Sequence, residues 1–384
     1  MNHKLLYDLN LPDLTALLQS WDEPAFRAKQ LWQGLYQHFW NAPDQFTNLP
    51  ILLRTRLSEN LRFDVLTPTK FLESNDKQTH KTLFRLHDGQ SIEAVLMHYG
   101  DPAGLDTPAA PVLDQQEPRR SSAPKARIET KPRRTLCIST QVGCAMGCVF
   151  CATGQMGFKR HLSSGEIVAQ VMYYARQLHE KGEKVTNVVV MGMGEPFHNY
   201  DNTMAAIDRL NDPQGYNFGA RRFTISTVGL VPAIWRFTRE RRQVNLAISL
   251  HAADDDLRSS MLPVNKKYPI DEILAACREY ISVTGRRVSF EWALIRKIND
   301  TPEQARMLAT KLRGRFGDTQ HRLLFHVNVI PLNPTQGYPG QPTTRQRAEK
   351  FKEILEQAGV ACTIRLRRGV KIRAGCGQLA GCVD

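Results

Sequence analysis

Three cysteines, at positions 144, 148 and 151, stand in the run Gln141-Val142-Gly143-Cys144-Ala145-Met146-Gly147-Cys148-Val149-Phe150-Cys151-Ala152-Thr153-Gly154. The spacing is C-x3-C-x2-C, with an aromatic directly before the last thiol. Zinc sites usually close a tetrahedron with paired C-x2-C or Cys/His ligands, and no fourth ligand follows nearby. A short loop with this spacing can wrap one face of a 4Fe-4S cube, and three thiolates leave one iron open to a further ligand. The glycines let backbone N–H groups approach the sulfurs and tune the potential. A structural zinc loop, or three buried thiols, is the plainer alternative.

Another thiol, Cys376, lies between Gly375 and Gly377 behind the strongly basic run at 364–373. Flanked by glycines and bracketed by arginines, it is set up as a mobile thiolate. Cys277 falls instead in an apolar helical period with Ile270, Ile273, Leu274, Tyr280 and Ile281, and reads as core. Cys362, on a strand-like run, and Cys382, near the terminus, take no assignment.

These groups need a frame. From Thr135 onward, strand-like runs at 135–140, 185–191, 221–227, 244–250, 288–295 and 323–330 alternate with helical periods. Helix starts are signalled by Ser163 with Glu166, Thr301 with Gln304 after Pro302, and Thr343 with Gln346. Six strand–helix units predict an α/β fold, a partial (β/α)6 barrel with right-handed crossovers. In such sheets ligand-binding groups gather at the carboxyl ends of the strands. The cysteine loop, Gly192-Met193-Gly194-Glu195-Pro196, Ser226-Thr227, Ser249-Leu250-His251 and Asn333-Pro334 all fall there. Together they describe a cofactor cradle, in which the Gly-Glu-Pro turn closes on a ligand amine and Glu195 pairs with it. A Ser-Leu-His taken alone would be a capped turn.

Upstream, residues 1–62 read as a small helical domain, with Leu31, Trp32, Leu35, Tyr36, Phe39 and Trp40 on one face and a start marked by Asp22, Glu23 and Pro24. Residues 63–100 read as a β extension, two strands at 82–86 and 91–97 joined by a turn at Asp88-Gly89. Residues 101–133 carry six prolines among Ala, Ser and Arg and read as a flexible linker, leaving 134–384 as the core.

The 384 residues, 42% hydrophobic and 23% charged, are those of a soluble globular protein. No run of about 18 apolar residues suggests a membrane span, and the polar Met1-Asn2-His3-Lys4 start lacks a signal-peptide core. With eight cysteines, three of them clustered, a reducing cytoplasm is expected. Lys and Arg exceed Asp and Glu by 51 − 38 = 13, which points to a polyanionic partner such as nucleic acid.

The cysteine loop, Met191-Gly192-Met193-Gly194-Glu195-Pro196, Ser249-Leu250-His251, Asn265-Lys266-Lys267-Tyr268, Ala374-Gly375-Cys376-Gly377-Gln378-Leu379 and Phe26-Arg27-Ala28-Lys29-Gln30 together resemble the RlmN/Cfr family of radical S-adenosylmethionine RNA methyltransferases. The resemblance spans nearly the whole chain, apart from a Pro-rich link longer than the family's usual one. It implies a 4Fe-4S cluster on Cys144, Cys148 and Cys151, and two S-adenosylmethionines per turnover. One methylates Cys376; the other yields a radical that takes hydrogen from the S-methyl, and the resulting carbon radical adds to adenine. By the same resemblance Cys137 is the resolving thiol, forming a disulfide with Cys376 as product leaves. Glu93 is the proton acceptor, where it would otherwise be an ordinary exposed carboxylate. Gly194, Glu195, Ser226, Ser249, Leu250, His251 and Asn333 match cofactor-contacting positions.

Implied substrates are carbon 2 of an adenosine in the peptidyl-transferase region of 23S rRNA and of the adenosine beside the tRNA anticodon. A flavodoxin or ferredoxin is implied as electron donor, and no membrane partner. Gln243-Val244-Asn245-Leu246 and His326-Val327-Asn328 are similar to the branch that methylates carbon 8, which stays open, as does a non-catalytic, zinc-bearing ribosome-binding protein.

Overall fold

The structure, a computed structural model, describes residues 4–100, 132–313 and 324–381. Nearly all of the expected linker at 101–133, and Cys382, lie outside the described residues.

Ten strands form one sheet, in the order Ala361–Ile364, Phe325–Pro331, Val288–Leu294, Asn245–Ser249, Phe223–Thr227, Asn187–Val190, Arg133–Cys137, Ser91–Tyr99, Thr79–Arg85, Thr67–Glu73. The first seven in that order run parallel and the last three add antiparallel. Parallel strands are covered on both faces and therefore read as apolar runs; Ile225, Ile248, Phe290, Trp292, Val327 and Val329 are all fully buried. Among the described residues the sheet has two free edges, Ala361–Ile364 and Thr67–Glu73, so the barrel is open. All six strands expected from the alternation are present, and a seventh parallel strand, Ala361–Ile364, extends them. It is the strand-like run noted around Cys362, which is buried on it.

The hairpin at Asp88-Gly89 forms as expected, with Arg85 opposite Ser91 and Gly89 at φ +81. A third antiparallel strand, Thr67–Glu73, lies outside it, mostly exposed. The extension is not a separate layer. Ser91–Tyr99 pairs directly with Arg133–Cys137, and Tyr174 of the first core helix hydrogen-bonds Thr82 Oγ1 (2.8 Å) and the Ala94 carbonyl (3.2 Å).

Helices start where their caps say. Ser163 and Glu166 make the expected capping box for Ser164–His179, and Thr301 Oγ1 accepts from the Gln304 amide at 3.2 Å. The cap of Arg345–Gln357 is Thr344, not Thr343, because the Thr343 hydroxyl is spent on buried Asp300 (2.5 Å). In the N-terminal module the helix Phe26–Tyr36 stops before Phe39 and Trp40. Phe39 is left-handed at φ +59, which turns the chain so that the Trp40 amide closes back on the Gly34 carbonyl (2.9 Å). Their apolar spacing is satisfied by packing beyond the helix: Phe39 lies on His179 and Trp40 on Phe46.

Candidate functional site

The cysteine loop leaves the sheet after Arg133–Cys137 and is shaped by close backbone approaches. Gly143 has φ +71, and a Cβ there would lie 1.8 Å from the Gly157 carbonyl oxygen, which accepts from the Cys144 amide at 3.0 Å. No residue but glycine fits. Cys144, Cys148 and Cys151 are all half-buried. Burial pushes the Cys144 thiol up to about 12, and Cys148 is raised well above the usual thiol range, first by burial and then by the other two cysteines. Cys144 and Cys148, which burial disfavours as bare thiolates, suit a cationic metal centre, which supplies the missing charge. Among the described residues no three His, Cys, Asp or Glu side chains converge as a single-ion site requires.

The strand ends bring the other expected groups to the same end of the sheet. Gly194, at φ +101, packs on Gln141. Glu195 is buried; its oxygens accept from the Phe197 (3.0 Å) and Val228 (2.9 Å) amides, and burial raises it to about 7 against these bonds and Thr227. The carboxylate therefore staples two strand ends, and each oxygen keeps a lone pair for an ammonium group. Ser226 and Ser249 face each other across adjacent strands, hydroxyl to hydroxyl at 3.2 Å. Leu250 is fully buried. His251, at φ +64, accepts the Ala293 amide on Nδ1 (3.0 Å) and packs edge-on against Phe150 at 5.0 Å. Burial, then Arg258, lowers its pKa to about 3, so the ring is neutral and carries its proton on Nε2. Asn333 donates to the Cys376 carbonyl (3.1 Å) and leaves Oδ1 buried without a partner, an acceptor that a cofactor with N–H or O–H groups would satisfy.

The glycine-flanked loop lies directly against the cysteine loop. Ala152 donates to the Gly377 carbonyl (2.7 Å) and Thr153 Oγ1 to that of Leu379 (2.6 Å). Cys376 is exposed on its solvent side; desolvation by the loops packed around it raises the thiol, and Arg365 opposes that. It is thus less poised as a thiolate than its glycines and arginines suggest. Cys137 is buried, and its pKa is raised by desolvation and then by the Cys376 charge, which places the two free thiols near one another.

Glu93 is not the exposed carboxylate its short strand would suggest: it is fully buried, and desolvation raises its pKa against Lys81. Nor is the basic run a free stripe. Arg368 and Arg133 stack on Tyr99 at 4.4 and 4.2 Å, and Arg365 is raised chiefly by Glu291. Arg367 remains exposed.

Several residues of the site escaped the sequence. Arg258, 0% exposed, donates to the carbonyls of Leu250 (3.0 Å), Val228 (2.6 Å) and Ser249 (3.2 Å), tying two strand ends together. Gln141 accepts the Glu195 amide (2.9 Å), and Lys81 pairs with Glu93 (2.9 Å). Arg258 gave no signal, since an arginine in a polar helix ordinarily faces water. Lys81 had one: the Asp88-Gly89 turn sets Leu83 opposite Glu93, which puts Lys81 diagonally beside it on the same face.

Comparison with known proteins agrees over the full length. Residues 138–309 match the Radical SAM superfamily, and residues 5–62 match the ribosomal RNA large subunit methyltransferase N-terminal domain. The chain is 48% identical to the probable dual-specificity RNA methyltransferase RlmN of Chloroflexus aurantiacus, covering 99% of this chain and 94% of that one. It is 44% identical to dual-specificity RNA methyltransferase RlmN 1 of Myxococcus xanthus, over 99% and 95% of the two chains. The crystal structure of a radical SAM methyltransferase from Sphaerobacter thermophilus superposes with a TM-score of 0.86 at 46% identity, covering 98% of this chain and 99% of that one.

Proposed function

The chain belongs to the RlmN family of radical S-adenosylmethionine RNA methyltransferases, and on that premise we propose that it methylates carbon 2 of an adenosine in 23S rRNA and of the adenosine beside the tRNA anticodon through an S-methylated Cys376. The observation that carries this reading is the pairing of two cysteine-bearing loops. A loop with three thiols backs, through the Ala152–Gly377 bond, onto an exposed fourth thiol with a fifth in its neighbourhood.

Superfamily membership implies S-adenosylmethionine and an iron–sulfur cluster. When bound, a 4Fe-4S cluster on Cys144, Cys148 and Cys151 supplies the electron that cleaves the cofactor to a 5'-deoxyadenosyl radical; a small electron-transfer protein of the cytoplasm renews it. Carbon 2 of adenine is electron-poor, so a methyl cation equivalent cannot be delivered to it directly, and the chain's own thiol carries the carbon instead. Cys376 takes a methyl group from one S-adenosylmethionine by displacement, and a second molecule serves the radical step. Glu195, Ser226, Ser249 and Asn333 orient the cofactor at the strand ends. Leu250 and His251 wall it, with the neutral imidazole offering Nε2–H as a donor. The S-methylene radical adds to the ring carbon, forming the C–C bond, and the adduct radical gives one electron back to the oxidised iron–sulfur centre as Glu93 takes the proton from that carbon. Cys137 then attacks the Cys376 sulfur, an S–S bond forms, the S–C bond breaks, and the electron pair left on carbon is protonated to complete the methyl group. Two external electrons afterwards return the disulfide to two thiols.

Mass spectrometry of RNA fragments from a strain lacking the gene, and from the same strain complemented, tests the reading. A methyl group at carbon 2 in both rRNA and tRNA is expected. One at carbon 8 would assign the other chemistry, and unmethylated RNA in the complemented strain would remove the proposal.

A further inference from the structure

Lys81 is an unusual place for a cation. It is 2% exposed and lies on Thr79–Arg85, in the antiparallel extension rather than among the parallel strands that carry the cofactor groups. Its Nζ donates to Glu93 Oε1 at 2.9 Å and to the Arg373 carbonyl at 3.2 Å. The other oxygen of the same carboxylate, Oε2, accepts the Ala380 amide at 3.1 Å. Arg373 and Ala380 are the two ends of the loop that carries Cys376. One buried ion pair therefore grips that loop at both ends.

Burying an ammonium and a carboxylate together costs more desolvation than an apolar pair of similar size would. Tyr174, Thr82 and Ala94 already hold the extension to the core without it. What the pair adds is specific to the loop: it fixes where the Cys376 loop stands, and the Lys81 ammonium opposes the desolvation that raises the Glu93 carboxyl. Lys81 is the charged side chain that acts on Glu93, beside the Ala380 and Gly381 amides, and Cys137 lies on the adjoining strand opposite Val95.

We infer that Lys81 is a positioning residue of the methyl-transfer step, holding the Cys376 loop and the Glu93 carboxylate in register with each other. The inference rests on the reading of Cys376 and Glu93 under the proposed function. Lys81 touches neither cofactor nor substrate in this role. It acts through Glu93 and through the Arg373 carbonyl.

The test uses the full chain with its cluster reconstituted, a 23S rRNA fragment and a chemical reductant, comparing wild type with Lys81→Met and Lys81→Arg. In Lys81→Met the iron content and 5'-deoxyadenosine formation stay near wild type. RNA methylation falls about 100-fold in kcat with little change in KM for RNA, the size expected when an acid–base group loses its placement. The acid limb of the pH–rate profile moves to higher pH, because Glu93 loses the charge that opposes its desolvation. Alkylation of Cys376 by iodoacetamide, read by mass spectrometry, quickens as the loop is released. Lys81→Arg restores part of kcat and returns the acid limb toward wild type. A Lys81→Met enzyme with wild-type kcat and pH profile overturns the inference. So does a loss shared equally by both variants and matched by a fall in melting temperature, which would make the lysine merely structural. Absence of RNA methylation in the wild type would sink the proposed function instead, so the two failures are distinct.

Discussion

The two loops that meet at the candidate site are built by opposite means. The cysteine loop is shaped from within: Gly143 admits a neighbouring carbonyl where no Cβ fits, Cys151 closes back on Cys148 (3.1 Å), and Cys144 pairs with Gly157 only thirteen positions away. The Cys376 loop is held from without, by Asn333, Thr153, Lys81 and Glu93, across 43 to 292 positions of sequence. Under the proposed function, a loop that presents three sulfurs to a metal centre gains from local definition, and a loop whose thiol reaches first a cofactor and then a base gains from contacts that can be released.

The strongest way to break this contrast is to delete thiols on each side. Cys144→Ala, Cys148→Ala or Cys151→Ala should each abolish iron retention and cofactor cleavage, read by the visible spectrum and by 5'-deoxyadenosine release, since two thiolates do not hold the cluster. Cys376→Ala should keep iron and low, uncoupled cleavage while forming no methylated protein. Cys137→Ala should load methyl and add to RNA without releasing it, so that a covalent protein–RNA adduct survives denaturation. The double variant should form none. Misfolding would lower every readout together, so this non-additive pattern separates the roles; an adduct in Cys376→Ala would reverse them.

A milder pair of changes sharpens it. Gly143 and Gly377 are both left-handed, at φ +71 and +80, but their surroundings differ. Alanine at 143 would meet the Gly157 carbonyl oxygen at 1.8 Å, whereas at 377 nothing comes nearer than the Phe150 carbonyl at 3.7 Å. Gly143→Ala should therefore cost about 3 kcal/mol or more and empty the cluster site, from strain plus overlap. Gly377→Ala should cost about 1–2 kcal/mol of backbone strain alone and leave iron content intact. Equal iron loss in the two variants would end the distinction between the loops.

That distinction also decided what could be read from the chain. The parallel strands, the hairpin at Asp88-Gly89 and the cysteine loop are encoded by neighbours in sequence, through apolar runs, a turn signal and thiol spacing. The grouping of Ser226, Ser249, His251 and Asn333 followed because parallel strands deliver their carboxyl ends to one side. Of the residues that anchor the Cys376 loop, Asn333 and Glu93 were singled out in the sequence, whereas the burial of Lys81 was not legible. Lys81 and Arg258 look like solvated cations until tertiary packing buries them, and Phe39 and Trp40 keep helical spacing though the helix has already ended. Burial is a property of the assembled fold.

The smallest expected effect lies on the cysteine-loop side and concerns pH. His251, lowered to about 3, and Glu195, raised to about 7, are both buried at the strand ends. For His251 the folded pKa lies below the unfolded value of about 6.5, so its stability contribution is complete above pH 6.5 and is lost as pH falls toward 3. At pH 5 that loss is about 2 kcal/mol. Glu195 has the opposite sign. Its folded pKa lies above the unfolded value of about 4.3, so it favours the folded state at low pH and loses that contribution as pH rises through 7. Between pH 7 and 5 it returns about 2 kcal/mol. The two nearly cancel, and the cluster-free protein should melt at similar temperatures at pH 7 and pH 5 as far as this pair is concerned. Glu195→Gln should uncover the histidine, with a melting temperature that drops more steeply than wild type on acidification. His251→Asn should uncover the carboxylate, with a shallower or reversed slope. Both slopes matching wild type would mean that neither group is held as its burial requires, and the strand-end cradle would be looser than the loop it supports.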